Sequence, residues 1–373
     1  MTRLDDGAIR LRSGCSVWQA SERLPVVTEP RDGGRELTTD IAIVGAGITG
    51  AFLAERFTRA GRRVVMIDRR APATGSTAAS TAMLLWELDA SLLELEDRMG
   101  FETAARIAVA CRRQVAQIAA LVNEIGIDCG LRPRASLYLA GGKLDAADLR
   151  EEKRLRELAG IDGRRLDAVE LAAMGVVGDA ALLHDGSADV DPVRLTRGLI
   201  AAAESRGAVV LSPATASVHE ATIRGVTIET REGDIVRAGA LVLANGYEMP
   251  DFVPTARHAL ASSWVIGSAA GQAFPGSDSP LIWEAADPYL YMRSTTDGRI
   301  VIGGEDEDFA DADAREAMAA RQFGRPGTRP NCLAAFGYGG NGITFSAMAA
   351  DLLEAELEGA PREDARFYAL DRD

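Results

Sequence analysis

Aromatic side chains make up only 5% of this 373-residue chain, so its core must close on small aliphatic side chains, with helices packing on alanine. Positive charge is also short. Lys and Arg number 41 against 55 Asp and Glu, a formal charge of −14, which argues against nucleic acid or an anionic membrane as main partner. The only histidines are His184, His219 and His258, and the four cysteines, Cys15, Cys111, Cys129 and Cys332, lie far apart with no C-x-x-C. No His/Cys/carboxylate group has metal spacing, so no metal site is expected, and the thiols read as incidental ones in a reducing compartment. No apolar run reaches membrane-spanning length, and Met1 to Arg10 carries acids where a signal peptide needs an apolar core. The cytoplasm follows by default. What remains, 47% hydrophobic and 26% charged residues, is a globular balance with length for two domains or one elaborated domain.

The strongest positive signal is Ile41-Ala42-Ile43-Val44-Gly45-Ala46-Gly47-Ile48-Thr49-Gly50. It is a β-branched run of strand length followed directly by G-x-G-x-x-G, then by a helical stretch (Ala51, Phe52, Leu53, Phe57) and a second strand, Val64 to Ile67, ending in Asp68. The carboxylate stands 23 residues past the first glycine, completing a dinucleotide-binding βαβ unit. Gly45 permits the tight turn, Gly47 lets backbone approach a pyrophosphate, and Gly50 lets helix pack on strand. The helix N-terminus supplies free N–H groups and partial positive charge. Asp68 is placed to accept from an adenosine ribose and would repel a 2′-phosphate, which disfavours NADP.

Around this unit the chain reads as an alternation of elements. Residues 1–39 form a polar arm with one apolar handle, Ser16-Val17-Trp18. Residues 72–85 are a small-residue loop running into a helix, and 91–125 a helical stretch broken at Gly100. Helices are expected at 144–159, 167–174 and, capped by Asp191-Pro192, at 193–206, with a strand at 207–211. A hairpin is expected over 217–239 around Glu232-Gly233, and a buried strand at 241–244 ending in Asn245-Gly246. Further strands at 264–266, 281–283, 289–293 and 299–302 fit an antiparallel sheet inserted into an α/β body. A helix at 312–322, a strand at 332–336, a glycine loop at 337–342 and a final helix at 343–358 complete the reading.

Two more small-residue stretches decide between nicotinamide and flavin. Gly75 to Leu84 (G-S-T-A-A-S-T-A-M-L) offers backbone and hydroxyls to a phosphate or a flat ring. Gly337-Tyr338-Gly339-Gly340-Asn341-Gly342 precedes a helix whose N-terminus suits an electron-rich ring edge. A nicotinamide dehydrogenase needs only the first βαβ unit, whereas a large cofactor threaded through the domain uses all three. On these stretches and Ala244-Asn245-Gly246, taken in their order, the chain resembles the FAD-dependent oxidoreductases of the D-amino-acid oxidase and glycine oxidase type over roughly residues 15–360. The Ser16-Val17-Trp18 arm is similar to the amine-oxidising branch exemplified by γ-glutamylputrescine oxidase.

The resemblance implies an α/β fold. Its FAD-binding, glutathione-reductase-type domain would be formed by 40–90, 180–246 and 331–373. An antiparallel substrate cap would be formed by 91–179 and 247–330, with 1–39 as an arm. It implies non-covalent FAD with Gly45, Gly47, Ile48, Thr49 and Gly50 at the pyrophosphate, and Asp68 and Arg69 at the adenosine. Ser76, Thr77, Thr81, Ala82 and Met83 would line phosphate and isoalloxazine, Ala214 would reach adenine through its backbone, and Asn245 and Gly246 would border the cofactor. Gly340, Asn341, Gly342 and Ile343 would close the flavin pocket. The implied chemistry is oxidation of a small amine or amino acid by hydride transfer to flavin N5, giving an imine, with dioxygen or another acceptor taking the electrons. Tyr289 matches a substrate-pocket tyrosine, Tyr291 shares its face, and Arg293 continues it as a candidate anchor for a substrate carboxylate. Trp86 and Glu87 are placed to border the pocket. One departure stands out: between Gly304 and Asn331 the chain is shorter than the family pattern. The expectation divides between an open substrate pocket and an FAD-binding protein or subunit with impaired catalysis, and a bared sheet edge would either be covered by a partner subunit, as in a homo-oligomer, or mark a deleted, marginal protein.

Overall fold

The structure, a computed structural model, describes residues 2–3, 16–18, 34–248, 261–271, 279–308, 322–324, 332–336, 342–360, 362 and 365. After the two-residue strand β1 (Thr2–Arg3), the βαβ unit forms as the glycine and apolar pattern predicts: β2 (Glu36–Val44), α1 (Ile48–Arg59) and β3 (Val64–Ile67). The outer half of β2 alternates between exposed and buried, and its last four residues are buried on both faces, as in a strand that runs from an edge into a helix-covered core. The small-residue stretch makes a 3-10 turn at Ser76–Ala79 and then a short strand, β4 (Met83–Leu84), where a helix was expected. The first helix after it is α2 (Leu92–Met99), and α3 (Phe101–Ile125) follows past Gly100, whose φ of 80° breaks the two apart.

The chain continues through β5 (Arg132–Leu139), α4 (Asp148–Leu158), β6 (Arg164–Asp167), α5 (Ala168–Ala173) and β7 (Ala180–Asp189). Then come α6 (Pro192–Ser205), capped by Asp191 with proline in its first turn, and β8 (Val209–Leu211). The expected hairpin is a three-stranded meander, β9 (Ala216–Thr222), β10 (Gly225–Thr230) and β11 (Ile235–Leu243). The Glu232-Gly233 turn joins β10 to β11, and β11 runs unbroken into the predicted buried strand. The rest comprises β12 (Ala261–Gly267), β13 (Leu281–Glu284), β14 (Leu290–Ser294), β15 (Ile300–Asp308), β16 (Gln322–Gly324), β17 (Cys332–Phe336) and α7 (Gly342–Leu357). The helix expected at 312–322 and the loop at 337–341 lie outside the described residues, as does most of the shortened segment.

Two sheets result. The first runs β1-β9-β10-β11-β2-β3-β8, with β17 beside the C-terminal end of β11 and β16 beyond it. Five of its strands are parallel neighbours, and the register aligns Val44, Ile67, Leu211, Leu243 and Ala334 at one end. Ligands in such sheets bind outside the carboxyl ends of the strands, so this end is where a site is expected. Helix α1 packs against both α6 and α7 over one face. The second sheet runs β12-β15-β14-β13-β5-β7-β4, with β6 on β7, and is antiparallel except for the parallel pair β13–β5. Strand β4 belongs to it, so the small-residue stretch links the two sheets directly.

The cap is pinned to that stretch by a buried ionic network. Arg156 donates to Glu87 at 2.8 Å and to Glu152 at 2.8 Å, and lies against the rings of Trp86 and Tyr138. Glu152 in turn accepts the Leu92 and Leu93 amides at the start of α2, where the helix dipole favours an anion. Each buried charge is thus paired, which such groups require. Trp86 and Glu87 are therefore buried and brace α4 through Arg156. Arg156 also approaches His184 Nδ1 at 3.3 Å. Arginine only donates, so that nitrogen is the acceptor and the imidazole is neutral. Burial, then the charge of Arg156, pushes His184 down to about 3. The unfolded chain binds a proton near the ordinary value of 6.5 that the folded chain refuses, so stability falls as pH drops below about 6.5. His184→Gln removes this contribution. The urea midpoint of the wild type should fall further than that of the variant between about pH 7.5 and about pH 5, and equal falls would contradict the assignment.

Candidate functional site

At the carboxyl end of the parallel strands three backbone segments meet closer than side chains would allow. Gly45 has φ of 113°, and a Cβ on it would lie 2.3 Å from the Ala244 carbonyl oxygen at the end of β11. A Cβ on Gly50 would lie 1.9 Å from the Gly45 carbonyl oxygen. No real Cβ tolerates either contact, so both positions require glycine. Gly47 caps α1 without a side-chain partner, and the first turn of α1 carries no acid, leaving the partial positive charge of this end available to an anion.

The second small-residue stretch folds onto this turn. Ile48 N donates to Thr77 Oγ1 at 3.0 Å, and Ala73 N to Ala46 O at 3.0 Å. Ser76 and Thr77 lie in the 3-10 turn. Past Thr81, Ala82 holds the left-handed conformation (φ 55°), fixed by its amide bond to Ser80 Oγ at 3.0 Å. Met83 then enters β4 opposite Asp189. The third stretch arrives through α7: Thr49 and Ser346 share a hydroxyl hydrogen bond of 2.8 Å, and Thr344 Oγ1 donates to Leu85 O at 3.2 Å. Gly342 and Ile343 open this helix, Ile343 buried, while Gly340 and Asn341 lie outside the described residues.

The opposite end of the convergence is polar. Asp68 accepts from Ala46 N at 2.6 Å and from Arg70 N at 2.8 Å. Burial raises its carboxyl above the usual range, and the two amides and Arg70 counter this. Arg69 and Arg70 both pair with Glu248, whose backbone carbonyl accepts from the Asn245 side chain. Asn245 Oδ1 is buried without a hydrogen-bond partner, an acceptor left for a ligand beside the Gly246 turn. The Ala214 amide bonds to the Asp68 carbonyl at 2.8 Å, placing Ala214 next to Asp68. The predicted cofactor residues that are described therefore share one region.

The two proposed substrate residues part company. Tyr289 and Tyr291 stand together on the cap with ring centres 5.6 Å apart, and both pack in one cluster with Leu85. Arg293, two residues on from Tyr291, is buried and committed elsewhere, pairing with Asp189 at 3.1 Å and donating to Val190 O at 2.8 Å. Its guanidinium lies 4.8 Å from the centre of the Trp18 ring, and Trp18 Nε1 donates to Ser80 O at 2.7 Å, so the apolar handle of the arm clamps the small-residue stretch. Arg132 and Arg134 close on the same Asp189. Burial lowers Arg293 to about 10, with Asp189 opposing the shift. Asp89, Glu248 and Asp189 escaped the sequence reading, because an isolated acid in a loop or strand carries no spacing signal. An open groove of about 790 Å³ between the end of α3 and α6 lies apart from this region, and its Arg194 and Arg206 are paired with Asp128, Asp191 and Glu55.

Comparison with known proteins agrees with this geometry. The family described as FAD dependent oxidoreductase matches residues 40–323. The chain is 28% identical over 290 residues to the uncharacterized oxidoreductase YurR of Bacillus subtilis, spanning 75% of this chain and 74% of that protein. It is 24% identical over 216 residues to gamma-glutamylputrescine oxidoreductase of Escherichia coli, 57% of this chain and 50% of that one. The crystal structure of glycine oxidase from Geobacillus kaustophilus superposes with a TM-score of 0.72, covering 90% of this chain and 99% of that chain at 19% identity, a likeness of fold.

The residues present fit FAD: a helix N-terminus free of acid, two obligate glycines, an orphaned acceptor at Asn245 and the Asp68 carboxylate bonded to the Ala46 amide of the turn. Gly47→Val puts a branched side chain where the Thr77 hydroxyl already stands 3.2 Å from the Cβ position. Purified variant should carry less than about a tenth of the wild-type flavin absorbance per chain while keeping its helical circular dichroism, and full flavin content would contradict the placement. With residues 40–323 matched, the chain belongs to the FAD-dependent oxidoreductase family.

Proposed function

We propose that the protein oxidises a C–N bond of a small amine or amino acid. The observation that supports this reading is the meeting of the Gly45–Gly50 turn, the 76–84 stretch and the start of α7, with the tyrosine pair of the cap joined to them through Leu85. Bound FAD supplies a two-electron acceptor for the hydride leaving Cα; the amine nitrogen gives up a proton, water hydrolyses the resulting imine, and dioxygen or another acceptor takes the electrons away. The chain's own work is binding and orientation. The amides at the start of α1 hold the pyrophosphate, and Asp68 accepts from ribose hydroxyls. The start of α7 places partial positive charge at the ring edge, where charge develops on reduction. Tyr289 and Tyr291 wall the substrate side.

An anaerobic screen of amines and amino acids against the purified yellow protein tests this. At least one should bleach the flavin band within seconds to minutes. Bound flavin that no member of the panel reduces would contradict the reading and favour an FAD-binding protein without catalysis.

A further inference from the structure

The wall beside the proposed site is acidic as well as aromatic. Tyr289 OH donates to Asp89 Oδ1 at 3.2 Å, and Asp89 follows the Leu85-Trp86-Glu87 segment by two residues. Tyr291 lies flat on the backbone of β15: a Cβ on Gly303 would meet its ring at 2.5 Å and its hydroxyl at 2.8 Å, so only glycine leaves room for the ring. Across the same strands Ser263 bonds both Tyr291 and Asp306. Glu284 accepts the Leu290 amide at 3.2 Å on the adjoining turn. Among the described residues, the charged side chains acting on the two phenols are acids, Asp89 and Asp306. After burial, these carboxylates are what raise Tyr291 to about 12 and lift Tyr289 as well.

Among the described residues, the three arginines of the neighbouring strands β5 and β14 are engaged elsewhere. Arg132, Arg134 and Arg293 close on Asp189 behind the small-residue stretch, and Arg293 is further sandwiched by Trp18. A substrate carboxylate entering between Asp89 and Asp306 would meet like charge. A substrate ammonium would meet two tyrosine rings and a carboxylate, groups that attract cations.

We infer that the substrate carries, besides the amine that is oxidised, a second cationic nitrogen held by Asp89 and the Tyr289–Tyr291 pair: a diamine-type molecule, as opposed to an amino acid. This rests on the amine oxidation proposed above and names its substrate class. Asp89 acts here as a specificity-determining residue.

The test uses the flavin-loaded protein and three probes of one chain length that differ at the far end: cadaverine, pentylamine and 5-aminopentanoate. Two readouts are taken anaerobically, the rate of flavin reduction and the dissociation constant from tryptophan fluorescence, to which Trp283, 6.4 Å from Tyr289, contributes. Cadaverine should bind at least about tenfold more tightly than pentylamine, and 5-aminopentanoate weakest. Asp89→Asn should bring the cadaverine-to-pentylamine ratio close to unity, and Asp89→Glu should keep part of it. Equal binding of the three probes by the wild type, or an unchanged ratio in Asp89→Asn, overturns the inference. If Asp89→Asn does not fold, Asp306→Asn reads the same loss of preference, and the wild-type ratio decides alone. Flavin that no probe reduces counts against the oxidation itself, while the fluorescence ratio still decides the cation site.

Discussion

Everything at the site depends on a contact between backbones. Gly45 and Gly50 bring the end of β2, the start of α1 and the end of β11 within distances that exclude any side chain, 1.9 and 2.3 Å from the positions a Cβ would take. This closeness points the free amides of α1 at one spot and lets the Asp68 carboxylate reach back to the Ala46 amide. It also sets Asn245 beside the turn. A methyl group at either glycine would force these backbone segments apart and remove the shared focus of the dipole, the carboxylate and the orphaned acceptor.

Around that focus charge is arranged in two buried clusters that grip the same segment from opposite sides. Asp189, with Arg132, Arg134 and Arg293, fixes the Ser80–Leu84 side through Trp18, Val190 and β4. Arg156, with Glu87 and Glu152, fixes the segment just after it and the start of α2. Buried ions of this kind contribute little net stability, but removing one partner is costly, so they specify one position for the segment between them. The consequence for function is that arginines that might have met a substrate are committed to structure. Among the described residues, the side chains on the proposed substrate side are phenolic and acidic.

The sequence made the cofactor half plain and the substrate half obscure. Gly45, Gly47, Gly50 and Asp68 are legible because backbone approach and ribose recognition impose residue types at fixed spacing. The helix at 192–205 was legible from Asp191-Pro192, and the break at Gly100 from its glycine. Strand β7 escaped notice because its run, A-A-L-L-H-D-G-S-A-D, mixes polar and apolar residues on both faces, buried on one side by the Arg156 network and on the other by the Asp189 cluster. Glu87 and Arg293 could be singled out, but their partners, Arg156 and Asp189, lie 69 and 104 residues away, and no local pattern encodes such pairing. The parallel pairing of β13 with β5 was hidden for the same reason.

The central claim is that one continuous site runs from Asp68 and Ala214 at the adenosine end to Ile343 at the flavin end. Reconstitution of flavin-stripped protein with FAD and, separately, with FMN tests it most directly. The account predicts one FAD bound per chain, with FMN, which lacks the adenosine that Asp68 and its neighbours would hold, at least about a hundredfold weaker. Failure to take up FAD, or FMN binding as tight as FAD binding, would contradict it.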